Sequence, residues 1–303
     1  MRIAVIDLGT NTVLLTVAEI QKNQEIKTLL EAKETPRLGE NVDKTKKISS
    51  GSIKRVLKTI QNLKKRAIRL RAEKIILIGT AALREAKNTS NFKKLIQDKI
   101  GLKLEVISGR KEAELVFWGA IADFKHRSKK FTLLDIGGGS TEAIVGTQKK
   151  ILKLKSLNMG SLRLTERFLK NKKNGYSKMI KFINQKFTSL KINFKVQNST
   201  LIGSGGTITT LGALSLNIKK YERDQVHGLV LPIKKINSLL EKLSHMSLVQ
   251  RRRFMKIDPK RADIIIAGAV ILKQFMEQFE FEHIVISDKS LRWGVLEQVR
   301  DKL

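Results

Sequence analysis

The spacing of apolar and polar positions changes several times along the chain, and each change marks an element. Residues 3–7 and 13–20 are runs rich in Ile, Val and Leu around a turn of Gly and hydroxyl residues. They predict two strands, with a third near 25–33. From 52 to 71 the period shifts. Ile53, Val56, Leu57, Ile60, Leu63, Ala67 and Leu70 recur at three and four, which predicts one amphipathic helix. A short apolar strand is expected at 74–79, then a helix near 92–100 with Gly101 as a left-handed C-cap. A strand at 104–107 and a helix from about 110 to 124 complete this half.

The pattern then restarts. Strands are expected at 131–136, 142–147 and 151–157, and helices near 161–168 and 177–190. Leu201-Ile202 leads into Gly203-Ser204-Gly205-Gly206-Thr207, which opens another helix. A long helix at 261–279, a strand at 283–287 and a final helix at 291–303 follow. The polar stretch 123–130 is the natural boundary between the halves. The reading is an α/β protein of two similar domains, and 303 residues suit two units of ~150 each.

The repeat is visible in the residues themselves. Val5-Ile6-Asp7-Leu8-Gly9-Thr10-Asn11-Thr12 matches Leu134-Asp135-Ile136-Gly137-Gly138-Gly139-Ser140-Thr141 in kind. Each is an apolar run, an Asp, one apolar residue and a turn. Such a turn exposes backbone N–H groups that bind phosphate. Gly203 to Thr207 adds a third turn, at a strand-to-helix junction where free N–H groups and the helix dipole favour anions. One strand-Gly-Thr-Asn turn alone is an ordinary hairpin, whereas three turns in one chain point to a phosphorylated ligand between the halves.

Carboxylates accompany the turns. Asp7 and Asp135 close equivalent strands, and Glu142 follows the second turn. Such groups hold Mg²⁺ or Mn²⁺ against phosphate oxygens; the plainer alternative is that each Asp accepts hydrogen bonds from its own turn. Glu112 lies three residues beyond Gly109, at the start of the predicted 110–124 helix. That spacing suits either a carboxylate reaching back to the helix N-cap or a general base. Arg37, Arg84 and Arg163 lie near turns, as phosphate clamps or as surface arginines.

Composition narrows the partners. The formal net charge is +32, which attracts polyanions or displays lysine bias on solvated faces. From Lys149 to Lys195 there are fourteen Lys or Arg against one acid, Glu166. Aromatics are only 5% of the chain, too few to suggest base-stacking platforms, so nucleic-acid binding through the basic surface is incidental. There is no cysteine, hence no disulfide or thiolate metal site. His126, His227, His245 and His283 form no closely spaced pair. No secretory leader is read at the N-terminus and the longest apolar run is too short for a bilayer, so a cytoplasmic protein without membrane partners is expected.

Taken together the motifs resemble the exopolyphosphatase / guanosine pentaphosphate phosphatase family of the actin-like ATPase superfamily. The matches run nearly from end to end, through Ile6 to Asn11, Gly79 to Ala86, Val106 to Gly109 with Glu112-Ala113, Leu134 to Glu142, Met159 to Glu166, Gly203 to Thr207, His227-Gly228, Arg261 to Asp263 and Ile286 to Asp288 with Leu291-Arg292. The resemblance implies two ribonuclease H-like domains with an interdomain cleft, residues 1–124 with the helix 291–303 returning to them, and residues 125–290. It implies Mg²⁺-dependent hydrolysis of the terminal phosphoanhydride of polyphosphate, or of pppGpp to ppGpp. It makes Glu112 the base that activates water. It places Asp135 and Glu142 at metal positions, and Asp7 is added to them from its matching place. Gly9, Thr10, Asn11, Thr12, Arg84, Gly137, Gly138, Gly139, Ser140, Thr141, Gly205, Gly206 and Thr207 are the expected phosphate-binding set. The architecture is that of the short, two-domain members, and a homodimer is allowed. Lys289-Ser290 inside the final motif adds a positive charge. A non-catalytic polyanion-binding protein on the same fold is the competing class.

Overall fold

Residues 3–6 are fully buried, which makes the first strand a central one covered on both faces. This strand, β1 (Arg2–Leu8), pairs antiparallel with β2 (Val13–Ile20), and β2 pairs antiparallel with β3 (Ile26–Glu34). On its other side β1 runs parallel to β4 (Lys74–Gly79), which runs parallel to β5 (Leu104–Val106). The sheet order is β3-β2-β1-β4-β5. Short helix α1 (Val42–Thr45) and long helix α2 (Ser50–Arg69) connect β3 to β4. Helices α3 (Ala81–Glu85) and α4 (Thr89–Ile100) lie between β4 and β5, and α5 (Gly109–Ile121) follows β5.

The computed structural model describes residues 1–124, 129–170 and 173–303. Met1–Gly119 with Leu291–Leu303 form one unit and Ala120–Ser290 the other. The expected boundary stretch 123–130 contains residues 125–128, which lie outside the described residues. So do 171 and 172 within the basic stretch 149–195. In the first unit α2 begins where Ser49 accepts the N–H of Ser52, an N-cap that fixes its start. It lays Val56, Ile60, Leu63 and Ala67 against Ile6, Leu8, Leu15 and Val17 of the sheet. Gly101 ends α4 at φ +70°, with its N–H on Gln97 O. The last helix, Leu291–Arg300, packs in this unit. Its Gly294 touches Leu115 O so closely that a Cβ would sit 1.8 Å from it, and Arg292 donates to Leu15 O at 3.1 Å.

The second unit repeats the design. β6 (Lys130–Ile136), β7 (Thr141–Thr147) and β8 (Ile151–Leu157) are antiparallel neighbours. β9 (Ser199–Ser204) runs parallel to β6. β10 (Val230–Pro232) and β11 (His283–Ile286) extend the sheet to β10-β11-β9-β6-β7-β8. Both sheets have the ribonuclease H-like core, a three-stranded meander continued by parallel strands, with β10 added antiparallel at the edge of the second, so the α/β fold class holds. The helices are α6 (Ser161–Leu164), α7 (Gly175–Thr188), α8 (Gly206–Ser215), α9 (Arg223–Val226), α10 (Ile233–Ser244), α11 (Leu248–Phe254) and α12 (Ile265–Gln278). Phe187, Phe194, Phe275 and Phe279 fill the core with tilted and edge-on ring pairs.

Two expected helices are altered. The one at 161–168 is a single α-turn that widens into a π-helix, Thr165–Leu169. Thr165 Oγ1 donates back to Ser161 O at 2.7 Å, a bond that loosens the regular ladder. The one at 261–279 starts late. Pro259–Arg261 is a 3₁₀ turn, and α12 begins only at Ile265. Among the described residues no helix is long and apolar enough to cross a membrane.

Candidate active site

Two hairpin turns have the same construction. Leu8↔Val13 is the last pair of the β1–β2 ladder and Ile136↔Thr141 the last pair of β6–β7. The turns between them, Gly9-Thr10-Asn11-Thr12 and Gly137-Gly138-Gly139-Ser140, are equally long. Each is closed by the same bond at 3.0 Å, Gly9 N–H to Thr12 O and Gly137 N–H to Ser140 O. A second segment backs each turn by donating to its carbonyls. Arg37 and Gly39 N–H reach Asn11 O and Thr10 O at 3.1 and 2.8 Å. Ser161 N–H reaches Gly137 O at 2.9 Å, and Leu162 and Arg163 N–H reach Gly138 O at 3.0 and 3.1 Å. With the carbonyls so occupied, the N–H groups of residues 10–12 and 138–140 meet no acceptor among the described residues. They are donors available to an anion.

Asn11 strengthens that reading in the first unit. Its side chain is buried, and neither amide atom has a hydrogen-bond partner among the described residues. A buried amide without partners is costly, and phosphate oxygens are acceptors that would satisfy its N–H₂.

Across the second hairpin Asp135 stands directly opposite Glu142, so the two carboxylates share one face of the sheet. The row continues in both directions, because Ser204 of β9 is in register with Asp135 and Ser156 of β8 with Glu142. Ser204 and Ser290 hydroxyls donate to Asp135 Oδ1, and Ser156 donates to Glu142 Oε1 at 2.7 Å. Asp135 is therefore not engaged by its own turn. Burial pushes its carboxyl up, opposed by the Ser204 and Ser290 hydrogen bonds. Two buried carboxylates side by side repel each other, and a divalent cation relieves that repulsion. Among the described residues no third His, Cys, Asp or Glu joins them, a donor set of the kind Mg²⁺ completes with water and phosphate oxygens. Opposite Asp7 in the first unit stands Leu14, so no second carboxylate faces Asp7 across that hairpin.

Glu112 lies in the first turn of α5. The hydroxyl of Ser108 caps that helix by accepting the N–H of Lys111 at 3.1 Å, and Glu112 pairs with Arg84 Nη1. The same Nη1 donates to Ile107 O at 3.2 Å, which anchors the guanidinium between α3 and the strand leaving β5. Glu112 is buried, yet it is held by a cation whose remaining donors are unused among the described residues.

The third turn joins β9 to α8. Gly205 adopts φ +91° and lies against Ile136, where a Cβ would sit 2.6 Å from its carbonyl oxygen. Gly206 opens α8, and the Arg261 guanidinium occupies the space its Cβ would need, 2.2 Å away. Arg261 is buried and is oriented by Nε to Asp258 Oδ2 at 3.0 Å, and its Nη groups make no hydrogen bond among the described residues. Thr207 Oγ1 is buried without a partner among them. A helix N-terminus, a guanidinium and an unsatisfied hydroxyl thus converge, groups whose chemistry suits an anion.

The sequence profile of the Ppx/GppA phosphatase family matches residues 16–302. The chain belongs to that family. It is 35% identical, over 99% of its length, to a "Bifunctional 3-dehydroquinate synthase/phosphatase" of Fusobacterium nucleatum, but spans only 47% of that protein. It is 27% identical to "Exopolyphosphatase 2" of Mycobacterium tuberculosis, covering 97% of both chains. Among solved structures, the Aquifex aeolicus family member superposes with a TM-score of 0.82 at 30% identity, covering 100% of this chain and 98% of that one. An exopolyphosphatase from Cytophaga hutchinsonii gives 0.92 at 26% identity, with 100% and 99% covered.

Within this Ppx/GppA chain several participants escaped the sequence reading. Ser204, Ser156 and Ser290 were invisible as carboxylate partners because strand register and chain reversal decide who stands beside whom. Arg261 sits 55 positions from Gly206, and only packing brings them together. Arg163, read as a phosphate clamp or a surface arginine, is not on the surface. It is buried, and its Nε donates to Gly139 O at 2.8 Å, holding the turn from behind. Thr141 Oγ1 likewise donates to Met159 O at 2.5 Å, so its hydroxyl hydrogen serves the hairpin and not a ligand.

Proposed function

We propose that this chain hydrolyses the terminal phosphoanhydride bond of inorganic polyphosphate and releases orthophosphate. The observation that carries the reading is the Arg84–Glu112 pair, a buried carboxylate held in place by a guanidinium with donors to spare. In this role Glu112 orients a water and takes its proton during in-line attack, and the free donors of Arg84 meet the phosphoryl oxygens. The first unit also carries the N–H groups of residues 10–12 and the Asn11 amide as anion-binding donors. The second carries donors of its own, the N–H groups of residues 138–140, the N-terminus of α8 with Thr207, and Arg261. Positioning and electrostatics dominate phosphoryl transfer, and these are what the site residues provide.

The family implies a divalent cation, and Mg²⁺ or Mn²⁺ fits the Asp135–Glu142 pair. When bound, such an ion offsets charge on the bridging and terminal oxygens. Asp7, which has Leu14 and no carboxylate opposite it, is left outside this cation site. Polyphosphate is favoured over pppGpp because the phosphate-binding turns carry no aromatic residue to stack a guanine, and because an exopolyphosphatase matches the chain along its whole length.

The test is phosphate release from graded polyphosphates and from pppGpp, with and without Mg²⁺ or Mn²⁺. Glu112→Gln should lower turnover about 10²–10⁴-fold, as expected for loss of a positioned base, while polyphosphate binding persists. Parent-like turnover in that variant would remove Glu112 from the mechanism. Faster release from pppGpp than from any polyphosphate would overturn the substrate assignment.

A further inference from the structure

α2 carries seven Lys or Arg and no acidic residue over its 20 positions. At 100° per residue, Lys54, Lys58, Lys65 and Arg69 fall within about 60° of one another. They lie opposite the buried Val56, Ile60, Leu63 and Ala67. All four are exposed, and none makes an ion pair or hydrogen bond among the described residues. Two of their neighbours off this stripe are engaged: Arg55 pairs with Glu40 at 3.0 Å, and Lys64 donates to Ile100 O at 2.5 Å. Like charges at i,i+4, such as Lys54 with Lys58 and Lys65 with Arg69, weaken a helix. Nothing on this face offsets them, and a row of phosphates would.

The stripe also starts close to the first glycine turn. Gly39 and Arg37 bond the turn through Thr10 O and Asn11 O. The same segment accepts from α2, with Ser52 Oγ on Arg37 O at 3.3 Å and Arg55 Nε on Pro36 O at 2.9 Å. Lys54 lies between those two anchors, and from it the cations extend along a straight axis for about 22 Å. The stripe's neighbours, Gln61, Asn62 and Ile68, include no aromatic ring, so the surface reads charge and not bases.

We propose that Lys54, Lys58, Lys65 and Arg69 form an accessory site for the chain of a long linear polyphosphate, holding the polymer on the first unit while its end is hydrolysed. This rests on the polyphosphate reading above.

The test compares the parent with K54E/K58E/K65E and the milder K54Q/K58Q/K65Q. With long polyphosphate as substrate, KM should rise about tenfold or more in the Glu variant and less in the Gln variant. The logarithmic salt dependence should flatten by about 2, near 0.7 per lost phosphate contact as for single strands. With tripolyphosphate, far shorter than the stripe's length of about 22 Å, kcat should stay at the parent value and KM should change much less than with the long polymer. Unchanged KM and salt slope with the long polymer would overturn the site. Calorimetry of long polyphosphate binding is read separately. If the parent hydrolysed no anhydride, the functional reading would fail, yet weaker binding by the Glu variant would still support the stripe. If the variant lost affinity for single-stranded RNA but kept it for polyphosphate, the stripe would be a nucleic-acid face and the proposal wrong.

Discussion

The hairpin turns at 9–12 and 137–140 share their length, their closing hydrogen bond and the Asp two residues upstream. They differ in what fills them and in what faces that Asp. The first turn is lined by Thr10, Asn11 and Thr12, and Leu14 stands across from Asp7. The second is three glycines and a serine, and Glu142 stands across from Asp135. One backbone shape thus serves two chemistries. The first turn adds side-chain donors to its amides. The second strips the side chains away, which lets a ligand approach the backbone itself, and it sets a second carboxylate beside the first, the pair proposed to hold the cation.

The largest expected effect breaks the comparison at the facing position. Glu142→Gln keeps the size and the Ser156 contact but halves the carboxylate pair. Divalent-cation-dependent turnover should fall about 10²–10³-fold, the scale for removing one preorganised electrostatic group. The matching change in the first hairpin, Leu14→Gln, should leave turnover at the parent level. Phosphate-release assays over a titration of Mg²⁺ decide it, and equal losses from the two substitutions would mean that the hairpins are not differentiated as argued.

A second contrast concerns how each turn is backed. A Cβ on Gly160 would lie 2.5–2.6 Å from the backbone of Gly138 and Gly139, atoms that cannot yield without distorting the turn. A Cβ on Gly39 would meet the Thr10 Cγ2 methyl at 2.2 Å and Ala82 Cβ at 3.1 Å. The first of these is a side-chain atom that can be removed. Gly160→Ala should therefore cost about 1–3 kcal/mol, the usual range for overpacking. Gly39→Ala should cost less, and the further change Thr10→Ser should recover much of it. Denaturant midpoints of the single and double variants test this. A larger loss from Gly39→Ala would reverse the ranking.

Much of this was legible along the chain and some of it was not. The repeat of Asp7 to Thr12 in Asp135 to Thr141 is a local signal, and it located both turns and both central strands. Gly101 announced its helix end for the same local reason. The serine–carboxylate row is not local. Ser204, Asp135, Glu142 and Ser156 come from four strands, and only their register lines them up. Arg84 could be flagged as a cation near a turn, but its pairing with Glu112 needs α3 and α5 packed around β5. The stretch from 216 to 260 carries no predicted element, although α10 and α11 occupy much of it, and Ile236, Leu239, Leu240 and Leu243 of α10 recur at three and four as plainly as the apolar positions of α2.

The smallest expected effect separates the two aspartates by pH. The carboxyl of Asp135 is raised above its ordinary 3.8 by burial, despite the bonds from Ser204 and Ser290. A raised folded-state pKa gives stability that is complete below 3.8 and is lost as pH climbs through the folded value. Without a divalent cation the parent should weaken over that window, by at most about 1.4 kcal/mol per pH unit for this one group. Asp135→Asn removes the charge, while its Oδ1 still accepts from both serines. Its melting temperature should match the parent's near pH 4 and exceed it at neutral pH. Adding Mg²⁺ at neutral pH should raise the melting temperature of the parent and leave that of Asp135→Asn where it was. In the first hairpin Asp7 is only partly buried and faces Leu14, so Asp7→Asn should leave the Mg²⁺-induced rise intact. A cation-induced rise that survives in Asp135→Asn but vanishes in Asp7→Asn would place the ion with the first hairpin and invert the comparison.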